Sequence, residues 1–125
     1  MLDVDVIGDA LPPGPVVEAC VLAAASAGIE DGHVAVEFVD AERIAALNAE
    51  HRGKAGPTDV LSFPVDGDGP PAGPRELGDV VICPEHTEDL VEAVVHGVLH
   101  LTGMDHEADE GEMLALQAEI MDWIR

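Results

Sequence analysis

Aromatic residues are nearly missing from this chain: Trp123, Phe38 and Phe63 are all that 125 positions hold, and tyrosine is absent. A surface on which several bases stack in succession, as in single-strand-binding modules, is thereby excluded. Basic residues are scarce too, five against 26 acidic ones, for a formal net charge of −21. Such a chain repels a polyanion at long range, which argues against patch-driven nucleic-acid binding; DNA is not expected as a partner. No apolar run approaches the roughly 18 residues of a membrane span. The acidic residues 1–10 lack the bases of a secretory signal. The two cysteines, Cys20 and Cys83, lie outside any C-x-x-C spacing. They read as buried thiols in a reducing compartment rather than a disulfide or a metal pair, so a cytoplasmic location is expected.

What is present is enough apolar material, 47 % of residues, to build one core without staples. Residues 1–125 are read as a single domain. Leu2, Val4 and Val6 alternate with Asp3 and Asp5, the period of a half-buried strand. Pro15 is placed to open a helix with Val17, Val21 and Ala24 on one face and Gly28 at its end. Residues 33–39 form a second strand, and Asp40 caps a helix that turns Ile44 and Leu47 inward. Residues 60–63 make a third strand ended by Pro64. Residues 65–76, with three glycines and three prolines, read as a loop. In residues 77–83 the run Val80-Val81-Ile82 suggests a strand buried on both faces. Thr87 is the expected cap of a helix through Leu101. Asp105 is the expected cap of a last helix whose inner stripe is Met113, Leu116, Ile120 and Ile124. The class is therefore α/β (α+β), a small mixed four-stranded sheet packed with helices.

His96, His100 and His106 fall within eleven positions. Residues i and i+4 of a helix lie one above the other, so His96 and His100 can converge on one ion. Gly103 permits a left-handed turn that returns His106 to the same point. Three neutral nitrogens with one position open are the form of a catalytic zinc site, and they suit Ni²⁺ or another divalent ion equally. Imidazole ligands must be deprotonated, so metal is expected to leave as pH falls below about 6. His33, His51 and His86 match no ligand spacing and read as surface or core-edge residues. Zinc peptidases of the H-E-x-x-H kind carry a general base after the first histidine. Here that place is Gly97, which either opens space for a bulky substrate or lets the helix pack closely.

Three of the five bases, Arg43, Arg52 and Lys54, cluster ahead of the third strand. Arg52 can offer a planar fork to two phosphate oxygens. Asp59 and Asp79, placed at strand starts, can hold loops by accepting backbone N–H bonds, and Asp105 can also orient a ligand histidine.

Residues 96–106 read H-G-V-L-H-L-T-G-M-D-H, which resembles the H-G-x-L-H-L-x-G-x-D-H signature of the YbeY family of bacterial ribosomal-RNA maturation factors. Upstream, Leu47-Asn48, His51-Arg52-Gly53-Lys54, Thr58-Asp59-Val60-Leu61-Ser62-Phe63-Pro64 and Leu77-Gly78-Asp79-Val80-Val81-Ile82-Cys83 agree in order and spacing, so the resemblance covers residues 33–125. It implies a metal-dependent endoribonuclease specific for single-stranded RNA. Such an enzyme acts on the 3′ end of small-subunit ribosomal RNA and in ribosome quality control, with the ribosome or its associated proteins as partners. It further implies that the three motif histidines are metal ligands, that Arg52 is the required arginine, and that the metal cleft lies beside the histidine-bearing helix. Two other readings stay open on the residues alone. One is a non-catalytic ribosome assembly factor with a structural metal. The other is a metallohydrolase of another class, a peptidase or amidase.

Overall fold

The alternating apolar and acidic residues at the start of the chain become strand β1 (Leu2–Ile7), with Leu2, Val4 and Val6 turned toward the core. Helix α1 (Pro13–Ser26) leads to β2 (Gly32–Phe38), which runs parallel to β1. Helix α2 (Ala41–Arg52) and β3 (Val60–Pro64) precede β4 (Glu76–Ile82). A 3₁₀ turn at Pro84–His86 then leads into α3 (Leu90–Leu101) and α4 (Glu112–Ile124). The structure, a computed structural model, describes residues 2–65, 76–105 and 108–124. Most of the loop expected at 65–76, and His106, lie outside the described residues.

The sheet order is β1-β2-β4-β3, with β4 parallel to β2 and β3 antiparallel at the edge. It is the mixed four-stranded sheet expected. Helices α1, α3 and α4 pack on one face over Val34, Val36, Val80 and Ile82. Helix α2 covers part of the other through Ile44, Leu61, Val81 and Cys83. The run Val80-Val81-Ile82 therefore feeds both cores in turn, as its unbroken apolar character predicts. Gly78 is required where β3 crosses β4. Its φ is +133°, and a Cβ there would stand 2.1 Å from the Phe63 carbonyl oxygen.

Helix α3 is the central core helix, burying Val94, Val95, Val98, Leu99 and Leu101. Each such side chain contributes about 1.5–3 kcal/mol relative to exposure. Gly97 is buried among them, and a Cβ on it would meet Val80 Cγ1 at 2.4 Å. Of the two readings of this glycine, close packing of helix on sheet is the one the structure supports.

Three local expectations are corrected. Helix α1 begins at Pro13 and buries Val16, Ala19, Cys20, Ala23 and Ala24, while Val21 faces solvent. Its apolar residues surround the axis, so sequence alone does not fix the rotation. The α3 cap is Asp89, whose carboxylate accepts from the Glu92 amide at 3.1 Å; the Thr87 hydroxyl donates to the Cys83 carbonyl instead. The last helix starts at Glu112, later than expected, because the Asp109 carboxylate accepts from the Gly111 and Met113 amides. Asp105 stops short of this helix, its carbonyl closing a turn with the amides of Ala108 and Asp109. Asp40 caps α2 as expected, accepting from the Arg43 amide at 2.8 Å. Both cysteines are buried without a disulfide, and burial pushes the Cys20 thiol up to about 12.

Candidate functional site

Helix α3 places His96 and His100 one turn apart on the side facing away from its apolar stripe, each half-buried. The rings meet edge-on with centroids 4.8 Å apart and Nε2 to Nε2 3.2 Å. Each Nδ1 is engaged elsewhere. His100 Nδ1 donates to the Met104 carbonyl at 3.0 Å, and His96 Nδ1 donates to the Gln117 amide oxygen at 2.8 Å. Gly103, at φ +101°, makes the first of these possible by turning the chain so that Met104 comes back over the helix end. Gln117 reaches the site from α4, between Met113 and Ile120 of that helix's inner stripe.

With both Nδ1–H groups donating, the two Nε2 atoms present lone pairs toward one point. An oxygen acceptor behind a ligand imidazole is the usual support of a metal-binding histidine. Two imidazole nitrogens so placed could supply part of the donor set of a first-row divalent ion. Among the described residues no group of three metal-binding side chains is assembled; the expected third ligand, His106, lies outside them.

The histidine pair opens onto a cleft of about 940 Å³. One wall is α3 with the turn Gly103, Met104 and Asp105. The floor is β3, and the end of α2 contributes His51 and Arg52. Arg52 is the last residue of α2 because Gly53 adopts a left-handed conformation, φ 65°, and ends the helix there. Of the basic cluster foreseen in sequence, only Arg52 lines the cleft; Arg43 and Lys54 are exposed outside it. Buried Asn48 supports this end of α2 by donating to the Gly56 carbonyl at 3.0 Å. Ser62 on the floor donates to the Gly97 carbonyl at 3.0 Å, fastening β3 to α3 beside His96.

Asp59 acts as expected, accepting from the Val60 amide at 2.8 Å, and its carboxylate also lines the cleft. Asp79 lies within β4 and is exposed, so it does not stand at a strand start. Two participants were missed. Gln117 looks in sequence like one polar residue on an apolar stripe. His51 is exposed, in keeping with a surface or core-edge residue, yet its ring packs against Phe63 in the cleft, which no ligand spacing signals. His33 lies elsewhere, and His86 lines a smaller neighbouring hollow that also includes His96 and Gln117. His33 is held on the sheet surface between Asp5 (2.8 Å) and Glu76 (2.7 Å), and His86 is exposed in the 3₁₀ turn.

Two imidazoles aimed at one point, with a guanidinium lining the same open cleft of an α/β fold, define a site suited to a cation and an anionic group together. The chain belongs to the YbeY family: the family model described as endoribonuclease YbeY matches residues 16–125. An endoribonuclease YbeY of Rubrobacter xylanophilus is 43 % identical over 124 residues, with 94 % of this chain and 89 % of that protein covered. One from Persephonella marina is 38 % identical, covering 78 % and 73 %. Against the Corynebacterium efficiens protein of that name, identity is 40 %, and the chain spans only 58 % of the relative's length. The solution structure of a Thermotoga maritima protein matches with a TM-score of 0.58 at 27 % identity, covering 94 % of this chain and 85 % of that one.

Proposed function

We propose that the protein is an endoribonuclease that cleaves single-stranded RNA in the maturation of ribosomal RNA, at the 3′ end of the small-subunit species, and in ribosome quality control. It works in the cytoplasm with the ribosome or its associated proteins as partners. The observation that carries this reading is the paired Nε2 atoms of His96 and His100, 3.2 Å apart, on the cleft that Arg52 also lines. Membership of a family named for endoribonuclease activity supports the choice of RNA. Among the described residues no helix is long and apolar enough to cross a membrane.

His96, His100 and His106 are the residues that would hold one divalent ion, with zinc the first choice for neutral imidazoles. Such an ion, when bound, supplies Lewis acidity toward a phosphoryl oxygen and lowers the pKa of water. The chain's own residues do the rest. Arg52 binds the scissile phosphodiester and offsets charge that develops on its non-bridging oxygens. Gln117 and the Met104 carbonyl keep His96 and His100 in the tautomer that leaves Nε2 as donor to a cation. The carboxylates of Asp59 and Asp105 line the cleft and disfavour phosphate away from Arg52.

The test is metal content by elemental analysis of protein purified without added metal, paired with cleavage of single-stranded RNA with and without chelator. Arg52→Ala is expected to keep its metal and lose about 10²–10³ in rate. His100→Ala is expected to lose the metal. Full activity in the first variant removes Arg52 from the mechanism, and wild-type metal content in the second refutes the ligand set.

A further inference from the structure

The cleft contains a ring pair that the metal chemistry does not use. His51 and Phe63 meet with centroids 4.5 Å apart and planes at 64°, an edge-on contact, and both line the cleft. Phe63 is anchored from below, packed against the small core of Ile44, Leu61, Val81 and Cys83. His51 rides on the last turn of α2 and is exposed, so its ring is fixed on one side by Phe63 and open to the cleft.

We propose that the His51–Phe63 pair is a ledge on which a single base of the RNA substrate stacks while Arg52 meets a neighbouring phosphate. The proposal rests on the ribonuclease reading above and names how that site grips its strand. Consecutive helical residues project about 100° apart. His51 and Arg52 can therefore take the base and the backbone of one strand at the same time.

Electrostatics favours such a contact. Arg52 is the sole lysine or arginine among the described residues lining the cleft, against the carboxylates of Asp59 and Asp105. In a chain of net charge −21, counterion release offers little binding. Stacking on an aromatic or imidazole face is indifferent to net charge and contributes about 5- to 150-fold in affinity per base. The shortage of Phe, Tyr and Trp excludes a platform for several bases. A ledge for one base needs only an imidazole, which a count of aromatics overlooks.

The experiment is steady-state cleavage of a short single-stranded RNA by wild type, His51→Ala, His51→Gln and His51→Phe, with folding of each checked by circular dichroism. The same RNA is then assayed with one position at a time made abasic. Expected is a KM raised about 5- to 150-fold in the Ala and Gln variants, with kcat unchanged and KM retained in His51→Phe. One abasic position should raise the wild-type KM and erase its advantage over His51→Ala. If wild type cleaves and His51→Gln matches it, or if His51→Phe fails as His51→Ala does, the ledge is wrong while the ribonuclease reading stands. If wild type cleaves no RNA with any divalent ion, the ribonuclease reading falls and the ledge with it.

Discussion

At His96 a single hydrogen bond determines which ring nitrogen faces the cleft. The Gln117 oxygen accepts a hydrogen bond from Nδ1–H at 2.8 Å, and Nε2 meets His100. Gln117→Leu keeps the size of the side chain and removes that acceptor. It is expected to weaken binding of the proposed metal about 10- to 100-fold, read by competition with a chromogenic chelator, with little change in melting temperature. The histidines themselves were legible in the sequence because i, i+4 spacing on a helix is a geometric statement. Gln117 was not, because its role depends on how α4 lies against α3. Arg52 was singled out by the family resemblance, whereas its place among three clustered bases does not by itself tell which one lines the cleft. The Gly53 turn decides it, ending the helix one residue later.

Between elements, two contacts set tolerances that can be measured. Gly97 lets α3 lie directly on Val80, so Gly97→Ala forces its Cβ into a stiff, buried valine at 2.4 Å. A loss of about 1–3 kcal/mol is expected in urea unfolding, partly recovered by adding Val80→Ala. On the opposite sheet face, His33 ties β1 to β4 across β2. The hydrogen bond to Asp5 is the largest of the effects that raise its pKa above the usual 6.5; burial, the next largest, opposes it, and the hydrogen bond and charge of Glu76 with the charge of Asp5 add to the rise. The protonated ring is the favoured partner, so its contribution is complete below about 6.5 and fades as pH rises through the raised folded value. His33→Gln should therefore lower the melting temperature more at pH 5.5 than at pH 9; an equal deficit at both would show that the charge plays no part. Strands and their inward residues were readable from period-two alternation. The ladder was not, since its members lie 28 and 43 positions apart. The face of α1 was hidden for a different reason, an apolar surface all round.

For the molecule as a whole, the excess of 21 negative charges shapes any encounter with RNA. One neutralised phosphate gives a logarithmic salt slope of about −0.7 for single strands, and added salt also screens the general repulsion. The slope measured for a short RNA is expected to lie between about −1 and 0. A slope steeper than about −3 would mean that bases outside the cleft carry the binding. The α/β class was legible in the order of elements, whereas the strand order was not, because the placement of β3 beyond β4 depends on long-range pairing. That sheet also divides the apolar interior into two unequal parts. His96 and His100 stand on the larger, and Arg52 and His51 on a helix secured chiefly by the smaller. Segments with few buried neighbours open at lower free energy than the main core. The end of α2 proposed to meet the RNA is therefore expected to open at lower free energy than the helix that carries the imidazole pair, so that a product could be let go while His96 and His100 stay in place.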